Sequence, residues 1–169
     1  MSSGRAVRGG INHAEQVMEI TSDRRYALPV DAQALWSTIE RTHSYQDWWP
    51  WLRAFDAEAL RVGDRWRCVI RSPLPYLVRV TVALSEVDRL HLVSAQVSGD
   101  IEGTARLTIS ERPDGCELRV ESSLAPKRPL LRGLARVAPG VARFGHEWVL
   151  DTGAGQLAEY LRAGPKGPP

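Results

Sequence analysis

From residue 65 to residue 124, apolar and polar side chains alternate with a period of two. In residues 65–72, Trp66, Cys68 and Ile70 share one face, and Arg65, Arg67 and Arg71 share the other. In residues 76–86, Val78, Val80, Val82 and Leu84 oppose Arg79, Thr81 and Ser85. Residues 89–97 form the next strand. In residues 101–111, Ile101, Gly103, Ala105, Leu107 and Ile109 oppose Glu102, Thr104, Arg106 and Thr108. In residues 116–124, Leu118, Val120 and Leu124 oppose Glu117, Arg119 and Glu121. A further strand over residues 54–62 precedes the run. Turn residues separate these segments at Val62-Gly63-Asp64, Ser98-Gly99-Asp100 and Pro113-Asp114-Gly115, and Pro73 and Pro75 bracket a bend. One wet and one dry face per strand is the pattern of an antiparallel sheet solvated on one side.

The flanks supply what the sheet needs. Residues 16–28 read as a first strand, with Val17, Met18, Ile20, Tyr26 and Leu28 among polar residues and Pro29 at its end. Asp31 is an N-cap for a helix over Ala32–Arg41, where Ala34, Leu35, Thr38 and Ile39 have helical spacing. A second short helix carries the segment 43–52, in which Trp48, Trp49 and Trp51 surround Pro50. After the strands, only residues 130–162 are long enough to cover the dry face. Leu134, Val137, Val141, Gly145, Trp148 and Thr152 recur there at helical spacing. Pro139-Gly140 kinks or interrupts this helix, and Gly153 and Gly155 weaken it. The predicted class is α+β: a curved antiparallel sheet of about seven strands wrapped around a long C-terminal helix, with two short helices after the first strand. A cavity lies between the sheet and the long helix.

Composition changes this picture little. The 169 residues suit one domain, expected over residues 14–163, with loose ends over residues 1–13 and 164–169. A net charge of +2 gives no case for nucleic acid. Cys68 and Cys116 fall inside strands and are expected as buried free thiols. No apolar run approaches the ~18 residues that span a membrane, and the N-terminus lacks a signal-peptide core. A cytoplasmic location is expected. Cys/His metal spacing and a phosphate-binding glycine loop are absent from the sequence, so no metal or cofactor is expected.

Three segments carry a resemblance: Trp48-Trp49-Pro50-Trp51, Ser98-Gly99-Asp100-Ile101-Glu102-Gly103 and Gly145-His146-Glu147-Trp148-Val149. With the long helix near the end, they make residues 16–162 resemble the START-like (SRPBCC) helix-grip superfamily, the polyketide cyclase/dehydrase and lipid-transport group. The resemblance implies a hydrophobic small-molecule cavity. Catalysis does not follow from it, because this fold carries many functions.

The candidate ligand-lining residues follow from the faces. Trp66 lies on the apolar face of its strand and Trp148 near the centre of the helix stripe, so both point toward the cavity or core. Trp48, Trp49 and Trp51 either pack the short helices against the sheet edge or line the cavity mouth. Val80, Gly103, Ala105 and Val141 fall on the inner faces, and the small residues leave room for a ligand or for the helix. His146, about 160° around the helix from Trp148, sits at the border of the stripe. With Asp47 or Tyr76 it forms the candidate proton-moving set, against the plainer reading of a hydrogen-bonded histidine at the core's edge. Lys127, Arg128, Arg132, Arg136 and Arg143 lie in a stretch without acids. That stretch reads as a solvated face, or as a surface for anionic membranes.

The first functional expectation is binding of a small hydrophobic or aromatic molecule, lipid or polyketide-like. A cyclase/dehydratase-type enzyme and a lipid carrier that touches anionic membranes are the alternatives. Oligomeric state is not legible.

Overall fold

The computed structural model describes residues 18–164. The loose ends expected over residues 1–13 and 164–169 therefore lie outside the described residues, except Gly164, which follows the last helix. The elements are β1 (Ile20–Leu28), α1 (Ala32–Glu40), α2 (Tyr45–Trp48), β2 (Leu52–Asp56), β3 (Arg65–Arg71) and β4 (Leu77–Asp88). They continue with β5 (Leu92–Gly99), β6 (Ile101–Arg112), β7 (Gly115–Pro126), α3 (Pro129–Val137) and α4 (Pro139–Ala163). A short 3-10 turn over Thr42–Ser44 leads into α2.

The seven strands form one antiparallel sheet in the order β1-β7-β6-β5-β4-β3-β2. This is the expected α+β architecture. The first strand pairs with the last, so β1 lies beside the strand that leads into the covering helices. At Gly103, φ is +146° and a β-carbon would lie 1.9 Å from the Ser123 carbonyl oxygen. The missing side chain there admits the backbone of β7, not a ligand. In α1, the Asp31 carboxylate accepts the Ala34 N–H at 2.7 Å, and the helix buries Leu35, Trp36 and Ile39 against the sheet. No helix among the described residues is long and apolar enough to cross a membrane.

Two expectations need correction. The strand expected over residues 54–62 runs only over Leu52–Asp56, because the next carbonyls leave the ladder for side chains. Ala59 accepts the Trp66 indole N–H at 2.8 Å, and Ala57 and Glu58 accept from the Thr42 hydroxyl at 3.3 Å. The second is the apolar stripe of the terminal helix, which is interrupted at Pro139 as expected. Ala138, with φ −138° and ψ 69°, breaks the chain direction before Pro139, which offers no N–H. The break resets the helical phase, so the stripe extrapolated through Val137 and Val141 is misplaced. Val137 is 87% exposed and Val141 39%.

The tryptophan cluster packs α2 and the segment after it against α4. Trp49 lies against Gly153, where a β-carbon would come within 2.5 Å of the indole Nε1. The Trp51 N–H donates to Gln156 Oε1 at 2.9 Å, and its ring lies 6.1 Å from that of Trp148. Trp48 reaches Tyr160 at 6.4 Å between ring centroids and stands 5.2 Å from Tyr45, which is fully packed in the core. These rings pack one another, with Trp49 in contact with Trp48, Trp51 and Tyr45.

Gly153→Ala and Gly155→Ala remove the same backbone freedom from one helix, each a gain of about 0.5–1 kcal/mol taken alone. A β-carbon at 155 meets nothing within 4 Å, whereas one at 153 meets Trp49. Urea unfolding should show Gly155→Ala raising the midpoint and Gly153→Ala lowering stability by about 1–2 kcal/mol net. Two upward shifts would contradict the seat assigned to Trp49.

Candidate functional site

A cavity of about 130 Å³ lies between the sheet and the N-terminal half of α4. Ile70, Val78, Ile101 and Leu124 form its floor from β3, β4, β6 and β7. Leu131, Leu134 and Ala135 of α3 and Ala142, Gly145, His146 and Val149 of α4 form the roof. The loop Ser72–Tyr76, between β3 and β4, closes one side. Its Leu74 lies so close over Gly145 that a β-carbon there would sit 3.0 Å from Leu74 Cδ1. The helix therefore needs glycine at 145 as well as at 153, for two different neighbours. These glycines are eight residues apart, about 12 Å along the axis, so Leu74 and Trp49 meet α4 in different halves.

Size limits the contents. An apolar cavity of about 150 Å³ holds one benzene, and drug-sized sites start near 300 Å³. The space fits a single ring. Its polar side chains are Ser72, Tyr76 and His146, and none of the lining residues carries a formal charge. Ser72 Oγ already accepts the Leu74 N–H at 3.2 Å. Burial pushes the Tyr76 hydroxyl above its ordinary pKa, so it stays protonated.

His146 is tied to β7 by a 3.0 Å hydrogen bond between Nε2 and Ser122 Oγ. Burial holds its pKa below the ordinary 6.5; the Glu147 carboxylate opposes this, and Arg24 adds to it. Beside it runs a polar seam between β1 and α4. Arg24 pairs with Glu147 at 3.1 Å and Asp151 at 3.8 Å, and the Tyr26 hydroxyl donates to Asp151 at 2.7 Å. Ser22 Oγ is buried there without a hydrogen-bond partner.

The structure thus brings together two of the three candidate proton-moving residues, Tyr76 and His146. Asp47 is exposed on α2 and takes no part in the cavity. The nine expected ligand-lining residues fall elsewhere. Trp48, Trp49, Trp51 and Trp148 pack with one another and with the C-terminal half of α4. Trp66 is held by its bond to Ala59 and by edge contacts with Tyr45 and Phe55 at 5.8 and 5.7 Å. Val80 belongs to the buried core, Ala105 packs against it, Gly103 meets β7, and Val141 faces outward. The tryptophan cluster is therefore a clamp on the helix, not a gate to this cavity.

Sequence reasoning missed the polar seam. Its signal was present: the period of two from Ile20 places Ser22, Arg24 and Tyr26 on the same inner face of β1. Cys68 and Cys116 are buried free thiols, as expected, with burial pushing Cys68 up to about 12 and Cys116, with help from nearby acids, to about 11.

No family model matches the sequence, and no curated protein matches it. Solved structures do. The chain is similar to Ara h 8.0201, with a TM-score of 0.66 and 10% identity over 87% of this chain and 100% of that one. It is also similar to the di-domain ARO/CYC BexL from the BE-7585A biosynthetic pathway, with a TM-score of 0.70 and 12% identity. That match covers 89% of this chain and 52% of BexL. A third similar structure is TTHA0849 from Thermus thermophilus, with a TM-score of 0.63 and 14% identity over 84% of this chain and 98% of that one. The chain has the helix-grip fold. Identities this low carry the architecture and leave the ligand to be argued from the site.

The depressed pKa of His146 makes stability depend on pH. The unfolded chain takes up the proton first, so this contribution is complete above about pH 6.5 and is lost as the pH falls from there toward the lower folded value. Urea midpoints at about pH 7.5 and about pH 5.5 should fall further for the native protein than for His146→Gln. Equal losses would contradict a buried neutral imidazole.

Proposed function

We propose that this protein binds a small apolar molecule in the cavity between α3, α4 and the sheet. The observation that carries this reading is the cavity itself: uncharged walls from five strands, two helices and a closing loop, with a few polar tips. Such walls supply affinity through apolar burial, and the tips set orientation. The low identities leave the ligand open, and BexL, an ARO/CYC protein, motivates the enzymatic alternative.

The two polar tips favour binding over proton transfer. A general acid or base works best with a pKa near the working pH. Here burial moves Tyr76 up and His146 down, so both are neutral hydrogen-bonding groups at pH 7. A carrier role at anionic membranes has weaker support, since Lys127 and Arg128 of the basic stretch face Glu102 and Asp100 at 2.8 and 3.9 Å.

Native mass spectrometry and solvent extraction of protein purified without denaturant test the proposal. The native chain should carry one small apolar molecule. Ala142→Phe, which puts a ring into the space, should fold with an unchanged circular dichroism spectrum and carry none. An identical extract from both proteins would place the ligand elsewhere, and an empty native protein would count against binding.

A further inference from the structure

The geometry points to a narrower ligand class: a neutral molecule about one ring in size that bears a hydroxyl group, seated with that group on His146. This rests on the binding reading above and deepens it.

Three observations combine. The first is size, since about 130 Å³ matches the room one ring takes. The second is charge. No lining residue is ionic, and the nearby Arg24 is engaged by Glu147 and Asp151. A carboxylate in this space would be desolvated without a counter-charge, which is strongly unfavourable. A cation would meet the same obstacle.

The third is the state of the imidazole. His146 lines the cavity, and its Nε2 is engaged by Ser122 Oγ at 3.0 Å. The other ring nitrogen, Nδ1, has no partner among the described residues. If Nε2 accepts the serine proton, Nδ1 carries a hydrogen and donates. If Nε2 donates, Nδ1 accepts. A hydroxyl group satisfies either tautomer because it both donates and accepts, whereas an ether or carbonyl fits only one. Tyr76, from the closing loop, adds a second hydroxyl to the same cavity.

Titration of the full chain with benzene, phenol and benzoate, followed by protein NMR shifts, separates the terms. Phenol should bind about three- to tenfold more tightly than benzene, the range of one net neutral hydrogen bond. Benzoate should shift no resonance of the cavity residues. His146→Leu should keep benzene binding and lose the phenol preference, while His146→Gln, which keeps a polar tip, should retain part of it. Thermal melting confirms that each variant is folded. If benzene binds and phenol binds no better, or benzoate binds as well as phenol, the hydroxyl class is wrong and the cavity reading stands. A preference that survives His146→Leu overturns the role of His146. If neither benzene nor phenol binds the native protein, the cavity reading fails and this inference fails with it.

Discussion

Helix α4 lies where it does because residue 153 has no side chain. Trp49 fills the place a β-carbon would take, and Trp48, Trp51 and Tyr45 hold Trp49 in turn. Much else depends on this contact. It sets how closely the C-terminal half of α4 approaches Trp49, while Leu74 meets the N-terminal half at Gly145. The arrangement leaves the Trp48 and Trp49 N–H groups buried without partners, at about 1–3 kcal/mol each. Losing one packed tryptophan costs about 3–5 kcal/mol, more than the orphan donor on that same ring.

The cavity is what remains under the other half of the helix. Packing at one end and space at the other are two results of one placement. Because the break at Ala138 turns α3 back over β7, Leu131, Leu134 and Ala135 can roof the space instead of continuing along the sheet. Charge gathers along β1, where Arg24 and Tyr26 meet Asp151 and Glu147 of α4, while Ser122 of β7 holds His146. Their mutual pairing keeps charge at the seam and leaves the cavity neutral.

The architecture was legible because sheet and helix periods are local properties of the chain. The alternation from Trp66 to Leu124, the Asp31 cap and the turn at Pro113-Asp114-Gly115 each act over a few residues. The site was legible only in part. His146 and Tyr76 stood out as polar residues near apolar stretches. The aromatic residues misled, because a tryptophan on an inner face fills the core as readily as it lines a cavity. Trp66 does the former with Phe55 and Tyr45. The helix stripe failed at Val137 and Val141 for a geometric reason. A change of direction at Ala138 alters which face is buried, and spacing alone carries no record of it.

The proposed binding role requires a ligand-sized, mostly apolar space between α3, α4 and the sheet. A crystal structure determined under xenon pressure tests it most directly, since apolar cavities of this size take up xenon. A xenon site in contact with Val78, Leu131 and Val149 is expected, with the tryptophan clamp unchanged. Walls that meet side chain to side chain, with no xenon bound between them, would contradict it.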